Sequence, residues 1–162
     1  MYRLIAPLLI SISLGTGALA QDSDKIKEIK VEMDLTAIVN PAAALRLGTL
    51  ATDLQGAIAA RLVDRIGEEG RVVSVDISEA ELSNSFTEAA GLADTMLVGV
   101  VHITDENDNT NFNTYTLTVT IEQARAFFPA ELEEATLTAS SDAYYTSLIS
   151  AFADAVALRI DD

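Results

Sequence analysis

The sequence predicts an α+β fold: a two-layer sandwich in which a four-stranded, mostly antiparallel sheet carries two helices packed on one face. The expected chain order is β-α-β-β-β-α. Three observations lead there. Three stretches alternate apolar and polar residues with a period of two, and a fourth is apolar on both faces. Two others carry apolar stripes at spacings of three and four. The link between the first two strands is long enough to hold a helical crossover between parallel neighbours.

The elements follow in order. Ile29, Val31, Met33, Leu35 and Ala37 alternate with Lys30, Glu32, Asp34 and Thr36, the pattern of a strand with one wet face. Asn40 and Pro41 then supply a helix cap and a first-turn proline. Leu47, Leu50, Leu54, Ile58, Leu62 and Ile66 form the stripe of one long helix, with Gly67 and Gly70 beyond it as stop signals. Val73, Val75 and Ile77 make the second strand. Ser78 with Glu81 has the spacing of a capping box for a short helix in the weakly periodic stretch 79–94.

Met96 to Thr104 is apolar on both faces for most of its length and is expected at the centre of the sheet. A polar loop, 105–113, leads into Tyr115, Leu117, Val119 and Ile121 alternating with Thr114, Thr116, Thr118 and Thr120, which completes a hairpin. Phe127-Phe128-Pro129 closes that unit. Ser140-Ser141-Asp142 opens a last helix with the stripe Tyr145, Ile149, Phe152, Val156 and Ile160, and with Leu148 beside it. Of Tyr144 and Tyr145, one is expected to face the core and the other solvent.

Residues 1–20 read as a cleaved secretory signal peptide. Arg3 provides the positive charge, Leu4 to Leu14 is nearly all apolar, and Ala18-Leu19-Ala20 places small residues at −3 and −1 of a cut between Ala20 and Gln21. The apolar run is shorter than the roughly 20 residues a spanning helix needs. Residues 21–27 are a charged, flexible lead-in, and 28–162 a single α+β domain. The 142 residues left after cleavage suffice to bury about 68% of the unfolded surface in one core.

Export without any cysteine argues against the disulfide-stapled extracellular class. None of the six asparagines has Ser or Thr two positions on, so there is no glycosylation sequon. Both features favour the periplasm of a bacterial envelope, with secretion as the alternative. Once Arg3 leaves with the signal, nine Lys and Arg face 25 Asp and Glu, a net charge of −16. That field repels phosphate backbones, so nucleic acid is excluded as a partner, and no apolar stretch after residue 20 reaches membrane-spanning length.

Three sets of residues carry candidate chemistry. Asp105, Asn107, Asp108 and Asn109 gather oxygen ligands of the kind calcium takes, and Asp105, Asn107 and Asn109 have the 1-3-5 spacing that opens an EF-hand loop. The sixth and twelfth positions are Thr110 and Thr116 where that loop has Gly and Glu. Over five residues the string DENDN resembles the calcium linker between cadherin domains, which implies calcium as a ligand of this loop. Asx residues also dominate hairpin turns, and this reading is favoured because one short loop rarely supplies six oxygens.

His102, the sole histidine, stands mid-strand between Val101 and Ile103 and is expected half-buried, bonded to a neighbour. Glu32 and Asp34 share a strand face, with Asp76 beside them if the first two strands pair, but nothing marks a cleft that would set one up as an acid. There is no cysteine nucleophile, phosphate loop or dinucleotide fingerprint. No catalytic constellation and no cofactor is therefore expected.

The expected function is that of an exported, non-enzymatic accessory or interaction domain for an unidentified protein or envelope component. A cation- or small-ligand-binding domain is the alternative, and a small hydrolase comes third. A thermal scan separates the first two. A turn at 105–113 leaves the melting temperature unchanged in millimolar calcium. A calcium loop raises it, by the equivalent of about 2.7 kcal/mol at a hundred times the dissociation constant, and Asp105→Ala with Asp108→Ala abolishes the rise.

Overall fold

A computed structural model of the chain describes residues 25–33, 48–81, 96–105, 112–130 and 142–160. These form strand β1 (Ile26–Met33), helix α1 (Leu50–Arg61), strands β2 (Arg71–Glu81), β3 (Met96–Asp105) and β4 (Phe112–Thr120), a single-turn helix α2 (Ile121–Ala124) and helix α3 (Asp142–Ile160). The sheet order is β1-β2-β3-β4. β1 runs parallel to β2, while β2-β3 and β3-β4 are antiparallel. The sheet is thus mixed, with one parallel pair. The α+β class and the element order hold, with α2 added as a third helix.

Pleat parity decides which side chains enter the core. Ile29, Val31, Val73, Val75, Ile77, Leu97, Val101, Ile103, Leu117 and Val119 are all buried on one face, beneath α1 and α3. From α1 come Leu50, Leu54 and Ile58. From α3 come Leu148, Ile149, Phe152, Val156 and Ile160. β1 begins at Ile26, inside the charged lead-in, because this side chain is fully buried and its carbonyl accepts a bond from the Gly67 amide at 3.0 Å.

Several expectations change. The first helix ends at Arg61, short of Ile66, because Val63–Arg65 tighten into a 3₁₀ turn. That turn brings Ile66 into a parallel bridge with Ile26 and leaves it exposed rather than in the helix stripe. Ser78 and Glu81 lie within β2, which continues to pair with β3 beyond a register shift between Ile77 and Glu79, so the chain from Ser78 to Glu81 is strand where a helix start is expected. Ile121 leaves the strand for a helix. Thr120 and Gln123 form a capping box there, with the Thr120 amide donating to Gln123 Oε1 at 2.9 Å.

Tyr144, not Tyr145, is the core tyrosine: it is buried and stacks at 6.0 Å on Phe128. Tyr145 turns sideways and donates to Asp53 Oδ2 at 2.8 Å. Residues 34–37, Asn40, Pro41, Leu47, Ser140 and Ser141 lie outside the described residues.

The two long helices lie side by side and run in the same direction. Asp53 meets Tyr145 near their starts, and at the C-terminus of α1 Arg61 meets Ser150 and Asp154. The Arg61 guanidinium donates to Ser150 O at 2.8 Å, Ala57 O at 3.1 Å and Asp154 Oδ1 at 3.4 Å. It thereby spans both helices above the apolar layer. At the entrance to β2, Gly70 has φ +127°, and a Cβ there would lie 2.3 Å from the Lys25 carbonyl oxygen. Only glycine fits that approach.

Gly99 lies on the covered face at the middle of β3, and the Phe152 ring lies against it. A Cβ at Gly99 would stand 3.1 Å from both Phe152 Cζ and Ile77 Cδ1, and 3.2 Å from the Asp76 carbonyl oxygen. Both side chains are buried, so neither can move away freely. Gly99→Ala is expected to cost about 1–3 kcal/mol as overpacking, read from the urea midpoint at unchanged m-value.

Candidate functional site

The alternate residues of the same strands form a second sheet face, which none of the described helices covers. Strand register lays its side chains in rows. Glu28, Val72, Thr104 and Phe112 form the first, and Lys30, Ser74, His102 and Thr114 the second. Glu32, Asp76, Val100 and Thr116 form the third, and Val98 and Thr118 continue beyond. Charge therefore collects on β1 and β2. Val98 and Val100 make a partly exposed apolar pair on β3, Val72 on β2 stands apart from them beyond the Ser74–His102 row, and β4 contributes a column of threonines.

The predicted residues fall out as follows. His102 is exposed on this open face rather than half-buried, since the inward residues of β3 are its neighbours Val101 and Ile103. Its Nδ1 is hydrogen-bonded to Thr114 Oγ1 at 3.0 Å, a bond between register partners. Glu32 and Asp76 are register partners on the same face, as the pairing of the first two strands requires, and both are exposed. Asp34 lies outside the described residues. Lys30 is engaged with Glu28 at 3.0 Å.

Asp105 ends β3 opposite Arg71. Asn107, Asp108 and Asn109 lie outside the described residues, as do Ala20 and Gln21. Among the described residues no three His, Asp or Glu side chains gather closely enough to hold a metal ion. No described helix is long and apolar enough to cross a membrane. His102 and the Glu32–Asp76 pair stand in successive rows of the open face.

One arrangement escaped the sequence reading. Tyr115 sits on the covered face at the β4 edge, and Arg159, one residue before the end of α3, lies over its ring at 4.6 Å from the centroid. Its hydroxyl is buried with no hydrogen-bond partner among the described residues. Burial pushes the Tyr115 phenol above its ordinary pKa of 10.0, and the Arg159 charge opposes part of that rise. A threonine-flanked tyrosine in an alternating strand carries no mark of this, because the contact depends on where α3 ends. Nearby, Arg71 Nη1 donates to the Ile160 carbonyl at 3.4 Å, placing a cation at the negative end of the same helix.

No protein-family model matches the chain, and no curated protein matches it by sequence. Three solved structures are similar to it at low identity. A candidate lipoprotein from Caulobacter crescentus CB15 is 12% identical with TM-score 0.44, over 86% of this chain and 88% of that one. A PelC variant from Paraburkholderia phytofirmans, crystallised as a dodecamer, is 13% identical with TM-score 0.38, over 81% and 87%. A minor lipoprotein from Acinetobacter baumannii is 16% identical with TM-score 0.32, over 83% and 91%.

The Tyr115 environment predicts alkaline behaviour. A phenol whose folded pKa is raised ionises first in the unfolded chain, so its stabilisation is complete below pH 10 and is lost as pH rises through the folded value. Tyr115→Phe removes both this loss and a buried hydroxyl with no partner. The variant should melt at or above the parent temperature at neutral pH and decline less steeply above pH 10.

Proposed function

We propose that this chain is an exported, non-enzymatic protein of the bacterial envelope whose domain docks another macromolecule on its open sheet face. The observation that carries the proposal is the partly exposed apolar pair Val98 and Val100 on β3, with Val72 on the neighbouring inner strand. The pair is bordered by threonines on one side and by Glu32 and Asp76 on the other. An apolar centre with a polar rim is the composition of a protein-binding surface, where the centre supplies burial and the rim supplies register. The periplasm is the proposed location, on the strength of the signal-like pattern of residues 1–20.

The exposure of Glu32, Asp76 and His102 supports binding over catalysis, since a small-molecule site closes around most of its ligand. The acidic border favours a neutral or basic partner and disfavours phosphate-bearing ones.

A photo-crosslinking residue in place of Val100 should give a discrete adduct in producing cells. The same residue in place of Gln55, exposed on α1, should not. If Val100 gives no adduct in any growth condition, or only the adduct that Gln55 also gives, the open face is not the docking surface.

A further inference from the structure

The two edges of the sheet are built differently. β1 at one edge reads IKEIKVEM, with Lys27, Glu28, Lys30 and Glu32 along it. β4 at the other reads FNTYTLTVT, nine residues with no charge and no proline. Among the described residues β4 pairs with β3 alone. An edge strand offers a row of unpaired amides and carbonyls to any passing strand, and proteins suppress such pairing with charge, proline or a bulge. β1 has that protection. β4 has none, and it is made of β-branched and aromatic residues that favour extended pairing.

We propose that β4 is a self-association edge: two copies of the chain pair β4 with β4, antiparallel about a twofold axis, and join their sheets into one of eight strands. Charge selects a second copy as the occupant. Each chain after export bears −16, so two copies repel wherever their acids meet. β4 itself carries no charged residue, the cation at this edge being Arg159 of α3 over Tyr115, and contact there brings no acidic side chain of β4 against its copy.

The strand is also complementary to itself. Pairing centred on Thr116 sets Thr114 against Thr118 on the open face and Tyr115 against Leu117 on the covered face. Threonine–threonine and aromatic–aliphatic pairs are favourable cross-strand neighbours. Phe112, 69% exposed in the single chain, then lies opposite Thr120 of the other copy. Such an isologous contact closes on itself and leaves no free β4 edge. It leaves Val72, Val98 and Val100 uncovered, so it is independent of the docking reading above.

Sedimentation equilibrium of the protein recovered from producing cells should show a reversible dimer whose fraction grows with concentration. Thr116→Lys and Thr116→Glu should each abolish the dimer by setting like charges at the axis. Circular dichroism should stay unchanged, because Thr116 is exposed. An equimolar mixture of the two variants should restore it, and Glu32→Lys on the opposite edge should leave it intact. Hydrogen exchange reads the unsubstituted chain directly: alternate β4 amides should gain protection as concentration rises. A monomer at every concentration, a dimer that survives Thr116→Lys, or a mixture that fails to reassociate overturns the proposal.

Discussion

The seat of Phe152 on the Gly99 backbone sets how closely the helix layer approaches the sheet, and most other contacts follow from it. Phe152 is fully buried at the middle of α3, and Gly99 stands at the middle of an inner strand. With no Cβ at Gly99, the ring reaches the strand itself and α3 lies low across the sheet. The first turns of α3 then reach the segment after β4, where Ser147 Oγ shares its proton between Phe127 O at 3.0 Å and Ala143 O at 2.8 Å. The last turn reaches the other end of the sheet, where Arg71 meets Ile160 and Arg159 lies over Tyr115. α1 fits alongside through Arg61 and Tyr145. A hydroxyl and a guanidinium buried this way are stabilising only while their partners stay in place, so these bonds specify position more than they add energy.

The same parity that fills the core disperses the chemistry. A strand sends every second side chain to the open face, so Lys30, Glu32, Ser74, Asp76, His102 and Thr114 arrive there in rows about 4.8 Å apart from strand to strand. The exposed groups in these rows stay in contact with water, which competes for their hydrogen bonds. These groups border Val98 and Val100, and the Ser74–His102 row separates that pair from Val72.

Legibility in the sequence tracked how local each determinant is. The four strands and the two long helices could be read because pleat alternation and the 3.6-residue stripe are written into adjacent residues: Val73-Val75-Ile77 and Phe152-Val156-Ile160 are found where their spacing puts them. Ends were harder. Ile121 continues the strand alternation, yet the capping box of Thr120 with Gln123 pulls it into a helix, because two satisfied amides outweigh one more alternating residue. Ile66 continues the helix stripe, yet its bridge to Ile26, 40 positions away, depends on a partner the local pattern does not contain. Tyr144 and Tyr145 have equal claims to the core by composition. Phe128 on one side and Asp53 on the other decide between them, both through tertiary contacts. The open face was legible as polar, but its valines were not, since apolar residues on both faces of Met96–Thr104 read only as a central strand.

Charge ties these strands of argument together. A domain this acidic would be expected to spread its carboxylates over every exposed surface for solubility, and β1 shows that pattern, with alternating signs along its edge. The β4 strand and the Val98–Val100 pair with Val72 depart from it on neighbouring parts of one sheet. Partly exposed valines contribute nothing to solubility, and a neutral edge strand is an aggregation hazard that a single lysine would remove. On β4 the inward Leu117 and Val119 belong to the core, but the outward Phe112, Thr114, Thr116 and Thr118 do not, and neither do Val72, Val98 and Val100. Two uncharged surfaces in a chain otherwise rich in acid are therefore better explained by contacts that these surfaces make than by the folding of the domain itself.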